Sequence, residues 1–282
     1  MNGARGDTGA QASAGGAWLP GPAQDTAALV TGASSGIGAD LARELAGRGH
    51  NVVLVARRLD RLKALADEIA TGHGVRAEAL ACDLMDPAKR DQLSGRVTKL
   101  GLTVEVLVNN AGYGSGGPFE RLDTEGECGI VRLNCEAVVA LTSTYARQFV
   151  ERGRGAILIV ASSAGMQPIP RQATYAASKA FALSFGEALH AEMRPHHVAV
   201  SSLCPGPVET EFAETAGITE AFARVPGFAR VSAADCARQA IAGLAANRRV
   251  VVPGLVTKAL TLSGRLTPNA VLLPAMERFY PV

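Results

Sequence analysis

The sequence predicts an α/β fold: a single-domain, doubly wound, parallel seven-stranded sheet with helices on both faces. Short apolar runs alternate with helical segments over residues 26–252, and strands that alternate with helices form βαβ units with right-handed crossovers. Most of the runs are continuous in Val, Ile and Leu, as expected of parallel strands that are covered on both faces. No internal repeat and no linker follows residue 25, so this region is predicted to be one domain.

Seven segments carry the strand pattern: residues 27–31, 51–56, 75–81, 104–109, 156–161, 198–203 and 249–252. Some of the helices between them have clear starts. Asp86 precedes Pro87 as an N-cap, and Ser232 forms a capping-box pattern with Asp235.

Three segments lie outside this regular pattern. Residues 1–25 are rich in Gly, Ala and Pro, which predicts a flexible tail without the apolar core of a signal peptide. Residues 211–231 have no strong pattern. Residues 253–282 form an apolar extension that glycine and proline interrupt, and a short terminal helix is predicted to start at Thr267-Pro268.

Composition excludes several classes of protein. With 282 residues, 48% hydrophobic residues and a net charge of +2, the chain has no basic face for nucleic acid. It has no apolar run of about 18 residues that would span a membrane. The five cysteines are odd in number and show no C-x-x-C spacing, so they are interpreted as reduced core thiols of a cytoplasmic protein. The five histidines show no metal spacing, and no metal is expected.

A glycine-rich loop, T-G-A-S-S-G-I-G at residues 31–38, follows the first strand and opens a helix. Free N–H groups and the helix dipole favour an anion at this place, and the absence of side chains lets a pyrophosphate approach the backbone. A tight strand–helix turn that binds no ligand could have the same residues. The strand–loop–helix context favours a dinucleotide site.

The end of the second strand indicates which dinucleotide. An NAD site needs a carboxylate there for the ribose 2′-hydroxyl, and Ala56 offers none. Arg57 and Arg58 instead offer planar donors to a 2′-phosphate, and Ser34 or Ser35 could add a hydroxyl. A solvated basic turn is the alternative interpretation. Together with the glycine loop, the pattern favours NADP(H) over NAD(H).

Two further stretches carry groups suited to catalysis. Ser162 and Ser163 follow a predicted strand, and Tyr175 and Lys179 stand four residues apart in Y-A-A-S-K, on one face of a predicted helix. An ammonium beside a phenol stabilises the phenolate, so such a tyrosine can exchange a proton near neutral pH. An exposed helical pair would be the ordinary interpretation of Tyr and Lys alone.

These motifs, with N-N-A-G at residues 109–112 and P-G-P-V-E-T at residues 205–210, resemble the short-chain dehydrogenase/reductase family. They occur in the order of that family, and the resemblance covers about residues 26–252. It implies a Rossmann fold and an NADP-preferring member, similar to the 3-oxoacyl-CoA and hydroxysteroid reductase branch.

The resemblance implies the roles of four catalytic residues. Tyr175 is the acid/base, Lys179 lowers its pKa and binds the nicotinamide ribose, and Ser162 binds the reacting oxygen. Ser162 is preferred to Ser163 because it lies thirteen residues before Tyr175, as in the family, and has Gly165 three residues after it. Strand alternation would also put the two hydroxyls on opposite faces, so that only one of them serves. Asn134 matches a residue that anchors a water in a proton relay.

The position of Asn134 gives independent support, because it falls on a helical stripe with Val131, Val138 and Leu141, where a polar side chain is out of place. A surface Asn in a long helix is the alternative.

The cofactor contacts that the resemblance implies are Gly32, Ser34, Ser35, Gly36, Ile37, Gly38, Arg57, Arg58, Asp83, Leu84, Asn109, Tyr175, Lys179, Pro205, Val208 and Thr210. In that set Asp83 meets the adenine and Asn109 lies beside the adenosine ribose, while Asn110 ties the sheet together. Pro205 borders the nicotinamide.

The expected function is reduction of a lipophilic ketone or aldehyde, such as a 3-oxoacyl or steroid-like carbonyl, or the reverse oxidation. Residues 211–231 would be a substrate lid with apolar faces at Phe212, Ile218, Phe222 and Phe228, although core packing could equally explain them. A redox-sensing NADP-binding protein without turnover is the second hypothesis, and an acyl-carrier-protein substrate is a third, for which no basic docking patch is evident.

The resemblance also implies a homodimer or homotetramer that pairs through the helices holding Asn134 and Tyr175. The apolar residues 253–282 could cover the pocket, pack against a partner subunit or make peripheral contact with a membrane surface.

Overall fold

Seven parallel strands form one sheet in the order β3-β2-β1-β4-β5-β6-β7 in the computed structural model of the protein, which describes residues 18–279. The strands are β1 Thr26–Thr31, β2 Asn51–Ala56, β3 Ala77–Ala81, β4 Thr103–Asn109, β5 Gly155–Val160, β6 Val198–Leu203 and β7 Val250–Val251. The predicted fold class is confirmed, and every predicted strand is found with its ends within two residues.

The helices are α1 Gly36–Gly47, α2 Leu59–His73, α3 Pro87–Asp91, α4 Leu93–Lys99, α5 Thr124–Val131, α6 Ala137–Arg152, α7 Ala173–Met193, α8 Phe212–Thr215, α9 Thr219–Ala223, α10 Ala233–Ala245, α11 Leu255–Leu266 and α12 Asn269–Phe279. The predicted caps form at two of them. Asp86 accepts hydrogen bonds from the N–H groups of Ala88 and Lys89, and the Ser232 hydroxyl accepts one from the N–H of Asp235. Asp235 does not complete a capping box, because its carboxylate pairs with Arg238.

Two apolar cores flank the sheet, one on each face. Alternate strand residues such as Val30, Leu54 and Leu158 pack under α1, α2 and α10. Their neighbours, such as Leu29 and Val55, pack under α4, α6 and α7. This period of two explains why the strands contain continuous apolar runs, since both faces of each strand are buried.

The carboxyl ends of all seven strands meet at one edge of the sheet, because every pair is parallel. The strand order reverses between β1 and β4, which are neighbours in space. In open α/β sheets a ligand crevice forms outside this reversal point. The fold therefore positions the loops that follow β1, β2, β4, β5 and β6 around one crevice.

The segment before β1 belongs to the packed domain. The Trp18 N–H donates to the carbonyl of Ala245 over 3.1 Å, and its ring stacks on His197. The Asn51 side chain holds the carbonyls of Ala23 and Gln24, both at 3.1 Å. The expected flexible tail over residues 1–25 is therefore wrong for residues 18–25, because distant polar and aromatic partners hold them. Residues 1–17 lie outside the described part of the chain.

The apolar extension forms two helices, α11 and α12, where the sequence predicted one. The second begins after Pro268, whose carbonyl accepts from the N–H groups of Val271 and Leu272. Thr267 does not cap it by its side chain, because its hydroxyl donates to the carbonyl of Ser263 in the preceding helix. None of the helices within residues 18–279 has the length and apolarity of a membrane span.

None of the five cysteines forms a disulfide, but only some of them are core residues. Cys82, Cys204 and Cys236 are buried, whereas Cys135 is half-buried and Cys128 is exposed on α5. The interpretation of all five as core thiols is wrong for Cys128, because this position of α5 faces solvent.

Candidate active site

One cleft of about 850 Å³ runs along the carboxyl edge of the sheet. It takes in the glycine loop, the ends of β2 and β5, and the loop after β6. Most of the predicted site residues line it: Gly32, Ser34, Ser35, Gly36, Ile37, Gly38, Arg57, Arg58, Asp83, Leu84, Ser162, Tyr175, Lys179, Pro205, Val208 and Thr210. The sheet brings these residues together from almost 180 positions of the chain, from 32 to 210. Asn109 and Asn134 do not line the cleft.

The N-terminus of α1 is suited to binding an anion. Its N-cap residue, Ser35, makes no side-chain cap, and the first turn contains no acidic residue, whereas α3 and α10 both have side-chain caps. A Cβ on Gly38 would lie 2.3 Å from the carbonyl oxygen of Gly32. The missing side chains thus let the loop and helix approach each other closely, with the helix N–H groups directed to the cleft.

Arg58 joins the glycine loop to the segment after β6. Its guanidinium donates to the hydroxyls of Ser34 and Ser35, each over 2.9 Å. It also pairs with Glu211 at 3.1 Å, and Arg61 pairs with the same carboxylate at 2.7 Å. These hydrogen bonds, from Arg61 and then from Arg58, lower the pKa of Glu211. Glu211 therefore ties the start of residues 211–231 to α2 through Arg61 and to the glycine loop through Arg58.

Arg57 differs from its neighbour in having no hydrogen bond or ion pair from its side chain to the described residues. It is exposed and lines the cleft. Of the two arginines predicted to bind a 2′-phosphate, Arg57 therefore has its donors free, while those of Arg58 are used to hold Ser34, Ser35 and Glu211.

Lys179 and Tyr175 lie one turn apart on α7, and both are buried beside the cleft. The Lys179 Nζ donates to the carbonyl of Val160 over 2.8 Å and lies 5.9 Å from the centroid of the Tyr175 ring. Burial lowers the pKa of Lys179 to about 8. The Tyr175 ring also packs against Phe212 of α8, with 5.1 Å between the ring centroids. The ammonium thus lies near the tyrosine ring, while its own hydrogen bond goes to a backbone carbonyl.

Ser162 and Ser163 both line the cleft. The strand alternation used to choose between them does not apply here, because β5 ends at Val160 and a 3₁₀ turn follows at Ser163–Met166. The Ser162 Oγ accepts a hydrogen bond from the N–H of Ala164 over 3.0 Å. Its own proton can therefore be donated toward the cleft.

The turn that holds Ser162 packs directly on α7, where Lys179 lies. A Cβ on Gly165 would lie 2.4 Å from the backbone carbon of Lys179, so only glycine allows this approach. The spacing from Ser162 to Gly165 in the sequence thus has a packing reason, since it sets the distance between the serine and the Tyr–Lys pair.

Asn134 lies in a π-helical turn, Arg132–Glu136, between α5 and α6. Its amide donates to the carbonyl of Tyr113 over 3.0 Å and to the Ser178 hydroxyl over 2.9 Å. A Cβ on Gly112 would lie 2.9 Å from Asn134 Oδ1 and 3.4 Å from Lys179 Nζ, so the two side chains flank Gly112. Asn134 is close to the Tyr–Lys helix but is tied to protein groups.

The helical stripe used to support Asn134 is only partly correct. Val138 and Leu141 are buried with it, but Val131 is 49% exposed. A π turn adds one residue to the helical repeat, so Val131 moves out of the phase that a regular helix would give it.

The asparagines of N-N-A-G have separate roles. Asn110 ties the sheet to the glycine loop, because its amide donates to the carbonyls of Thr31 and Gly32 at 2.8 and 3.2 Å, as expected. The Asn109 side chain turns away from the cleft and donates to the Thr142 hydroxyl at 2.9 Å. The expected side-chain contact of Asn109 with a ribose is therefore not supported, since Asn109 ends a strand whose pleat aims this side chain at α6.

The other half of the cleft is apolar. Residues 212–229 and 257–276 supply the wall, which includes Phe212, Ile218, Phe222, Val225, Leu272 and Met276. Of the four apolar residues predicted for the lid, three line the cleft, and Phe228 is wrong because it is 78% exposed. The apolar extension covers the pocket, which is one of the three arrangements that its sequence left open.

Two glutamines were missed by the sequence analysis, and both line the cleft. Gln167 follows the 3₁₀ turn, and its amide contacts the Met276 sulfur of α12 at 3.9 Å. Gln172 is the N-cap of α7 and is only 3% exposed. No motif marks either residue. Their position three and eight residues before Tyr175 is the only signal that could have indicated them.

The residues at the polar end of the cleft fit a nicotinamide dinucleotide carrying a phosphate. The uncapped start of α1, the glycine loop and the free guanidinium of Arg57 are donors for anionic oxygens. No three His, Cys, Asp or Glu side chains within the described chain gather as metal ligands would.

Comparison with known proteins agrees with this geometry. The family model for short chain dehydrogenase matches residues 26–221. A very-long-chain 3-oxoacyl-CoA reductase of Phaeosphaeria nodorum is 36% identical over 179 residues, which are 62% of this chain and 52% of the relative. A granaticin polyketide synthase protein of Streptomyces violaceoruber, which carries the name ketoacyl reductase 1, is 36% identical over 69% of this chain and 72% of its own.

Among solved structures, the short-chain dehydrogenase from Sphingobium yanoikuyae in complex with NADPH is similar, with a TM-score of 0.75 and 34% identity. The similarity covers 85% of this chain and 92% of that one. The chain spans about half the length of the very-long-chain reductase that it matches. With a family model over more than half of the chain and the family's motifs gathered in one cleft, the protein belongs to the short chain dehydrogenase family.

Proposed function

We propose that the protein reduces a lipophilic ketone to a secondary alcohol with NADPH, and that Tyr175 provides the proton. The observation that carries the proposal is the position of Tyr175. It lies in the cleft between a phosphate-binding loop and an apolar wall, with the Lys179 ammonium 5.9 Å from its ring. Hydride transfer needs a cofactor on one side of the reacting carbon and a proton donor at the carbonyl oxygen.

The proton route uses three residues. NADPH, when bound, supplies the hydride that adds to the carbonyl carbon. Tyr175 donates its phenolic proton to the carbonyl oxygen, and Lys179 stabilises the phenolate that this leaves. Ser162 donates its hydroxyl proton in a hydrogen bond to the same oxygen, since its oxygen already accepts from Ala164. In the oxidative direction the phenolate accepts the proton of the alcohol.

The cofactor is NADP(H). Ala56 leaves the end of β2 without a carboxylate for a 2′-hydroxyl, and Arg57 presents free donors at the same place. Arg58 contributes by holding Ser34 and Ser35 in place. The similarity to a structure in complex with NADPH supports this choice.

The substrate is lipophilic because the wall beyond Tyr175 is apolar. Phe212, Ile218 and Met276 line it. The names of the two curated relatives, which refer to 3-oxoacyl-CoA and ketoacyl reductases, support a ketone in an acyl chain. A non-catalytic redox sensor is not favoured, since such a protein would not need a buried lysine next to a buried tyrosine in the cleft.

The exposed apolar side chains on α5, α6 and α7 favour a homo-oligomer. Val131, Val139 and Phe181 are 49%, 38% and 39% exposed on these three helices, and α5 packs against α7. Apolar side chains exposed on adjacent elements indicate a protein interface. The cytoplasmic location stays a prediction from the cysteine content.

The test is NADPH oxidation, followed by absorbance, with ketones of graded chain length. We expect turnover to increase with chain length and to fall about 100- to 10,000-fold in Tyr175→Phe, because the proton donor is lost. Tyr145→Phe is the matched control, since that hydroxyl is buried in the core away from the cleft. Full activity in Tyr175→Phe, or no turnover of any ketone while NADPH binds, would contradict the proposal.

A further inference from the structure

The carboxylate of Glu211 binds two guanidinium groups at the start of α2. Arg58, the N-cap residue of this helix, donates from Nη1 to Glu211 Oε2 over 3.1 Å, and Arg61 donates to Oε1 over 2.7 Å. These hydrogen bonds, from Arg61 and then from Arg58, lower the pKa of Glu211, so the carboxylate is charged at neutral pH. The two ion pairs join segments that are 153 and 150 residues apart in the chain.

The same Arg58 guanidinium reaches the part of the cleft that is suited to a phosphate. Its Nη2 donates to the hydroxyls of Ser34 and Ser35, each over 2.9 Å, and its Nε donates to Ser34 over 3.2 Å. With Nη1 on Glu211, all three nitrogens of this guanidinium have a protein partner. Arg57, Arg58 and both serines line the cleft. A phosphate that binds beside the serines would therefore draw on a charge that Glu211 already neutralises in part.

The ion pairs of Glu211 are weak enough to be exchanged. The side chains of Arg58 and Arg61 are 42% and 44% exposed, and that of Glu211 is 49% exposed. Ion pairs at this exposure contribute little, because water screens them. A phosphate monoester carries about 1.5 to 2 negative charges at pH 7 and has three acceptor oxygens, whereas a carboxylate carries a single charge on two oxygens. The phosphate is thus the stronger ligand for a guanidinium at this place.

The residues on both sides of Glu211 contact other parts of the site. Thr210 packs against the glycine loop, since a Cβ on Gly36 would lie 3.0 Å from the Thr210 methyl carbon. The Phe212 ring packs on Tyr175 with 5.1 Å between the centroids, and the Phe212 N–H donates to the Thr210 hydroxyl over 3.3 Å. A displacement of Glu211 is therefore passed on to the aromatic ring that lies against Tyr175.

We propose that Glu211 competes with the 2′-phosphate of the cofactor for the guanidinium of Arg58. Binding of NADP(H) then displaces Glu211 from Arg58 and releases the start of residues 211–231. NAD(H) has a hydroxyl in place of the phosphate and leaves the ion pair intact. Two groups that share one partner are negatively coupled, and the coupling is reciprocal. This inference rests on the proposed cofactor, NADP(H), and assigns a residue that weakens its binding.

The consequence for the enzyme is a moderate affinity for the spent cofactor. After reduction, NADP⁺ has to leave before the next NADPH binds, and release of product limits turnover in many enzymes. A carboxylate that takes back Arg58 favours this release. Glu211 is thus a residue that determines cofactor affinity, and it is separate from the residues that transfer the proton.

The test measures binding and needs no turnover. The fragments 2′,5′-ADP and 5′-AMP differ only in the 2′-phosphate, and neither carries a nicotinamide. Glu211→Gln removes the charge and keeps the shape of the side chain. Calorimetry should show 2′,5′-ADP and NADPH binding about threefold to tenfold more tightly to Glu211→Gln than to the wild type, with 5′-AMP and NADH unchanged.

Glu214→Gln is the matched control. Glu214 is exposed three residues further along the same segment and does not line the cleft, so its substitution removes the same charge away from Arg58. All four affinities should stay at their wild-type values in this variant. Weaker or unchanged binding of 2′,5′-ADP to Glu211→Gln, or an equal gain in Glu214→Gln, would overturn the competition.

Amide hydrogen exchange tests the release of the segment. Peptides covering residues 211–218 of the wild type should exchange faster with saturating 2′,5′-ADP than with saturating 5′-AMP, because only the first displaces Glu211. In Glu211→Gln the two fragments should give equal rates. Equal rates in the wild type would overturn the release of residues 211–231 by the phosphate.

The fragments also separate this inference from the proposed cofactor. If neither the wild type nor Glu211→Gln prefers 2′,5′-ADP to 5′-AMP, the proposed NADP(H) and the role of Glu211 both fail. If both proteins prefer 2′,5′-ADP to the same degree, the cofactor stands and only the role of Glu211 is overturned.

Discussion

At the scale of single residues, a buried lysine beside a tyrosine dominates the site. Lys179 is 6% exposed, and its Nζ has a backbone carbonyl, that of Val160, as its hydrogen-bond partner. Taking an ammonium out of water disfavours its charged form, which is why burial lowers its pKa to about 8. The group thus changes charge in the pH range where an enzyme works, and a structural lysine on the surface would not.

The pH dependence of reduction should follow from this lysine. Below about pH 8 the Lys179 ammonium is charged and stabilises the Tyr175 phenolate. Above about pH 8 the amine is neutral, and this stabilisation of the phenolate is lost. We therefore expect kcat/KM for ketone reduction to fall as the pH rises through about 8. Initial rates from pH 6 to about pH 10 would show this limb.

Lys179→Met should be at least 100-fold less active below that limb, in line with the loss of an acid–base partner. Lys63→Met, at an exposed position of α2, should keep the wild-type profile. A profile that stays flat between pH 6 and 10 would contradict the assignment.

The second residue-scale prediction concerns the cofactor phosphate. Arg57 has free donors beside the cleft, so Arg57→Ala should weaken NADPH binding about tenfold to a hundredfold and leave NADH nearly unaffected. Titration of each cofactor with fluorescence detection measures this ratio. Arg121→Ala, at an exposed position away from the cleft, is the control. Equal losses for the two cofactors would refute the phosphate assignment.

At the scale of elements, two of the three glycines of α1 differ in whether they tolerate a side chain. A Cβ on Gly38 would meet the Gly32 carbonyl oxygen at 2.3 Å, whereas one on Gly47 would meet only the tip of His73 at 3.6 Å. Gly38→Ala should therefore destabilise the protein by about 1–3 kcal/mol or more, because backbone would have to move. Gly47→Ala should be neutral or stabilise it by up to about 1 kcal/mol.

Urea unfolding measures both changes. A Gly38→Ala protein as stable as the wild type would show that the glycine loop does not need this close approach to α1. A strongly destabilised Gly47→Ala protein would show that the end of α1 has no room for a side chain at this position.

Helix α12 lines the apolar half of the cleft and should determine the preference for the chain length of the ketone. Leu272 lines the cleft, and its neighbour Val271 is 64% exposed. Leu272→Asp places a charge against the apolar wall, so KM for long-chain ketones should rise about tenfold or more while short ketones change little. Val271→Asp is the matched control and should behave like the wild type. An equal loss of activity toward ketones of all chain lengths in Leu272→Asp would contradict this role of α12.

At the scale of the whole molecule, the parallel sheet brings motifs that are distant in the chain into one cleft. The apolar side chains exposed on α5, α6 and α7 lead us to expect a homo-oligomer. Light scattering coupled to size exclusion should report a dimer or tetramer for the wild type. The double variant Val139→Asp, Phe181→Asp, which charges the exposed positions of α6 and α7, should be a monomer with its thermal midpoint still measurable. A monomeric wild type would remove the proposed homo-oligomer.

Much of the fold and site could be derived from local patterns. The strand runs, the Asp86 and Ser232 caps, the glycine loop and the Tyr175–Lys179 pair each lie within a few consecutive residues. Backbone conformation, burial periodicity and spacing along one helix are local properties, so the sequence alone is enough to indicate them.

The remaining features depend on contacts between segments that are distant in the chain. Examples are the packing of Trp18 on His197, the presence of both Ser162 and Ser163 in the cleft, and the apolar wall that α11 and α12 add to the cleft. The same holds for Gln172 Nε2, which is buried and has no hydrogen-bond partner within residues 18–279. Whether a side chain meets a partner, a ligand or solvent is decided by which surfaces the folded chain brings together, and spacing along the sequence carries no information about that.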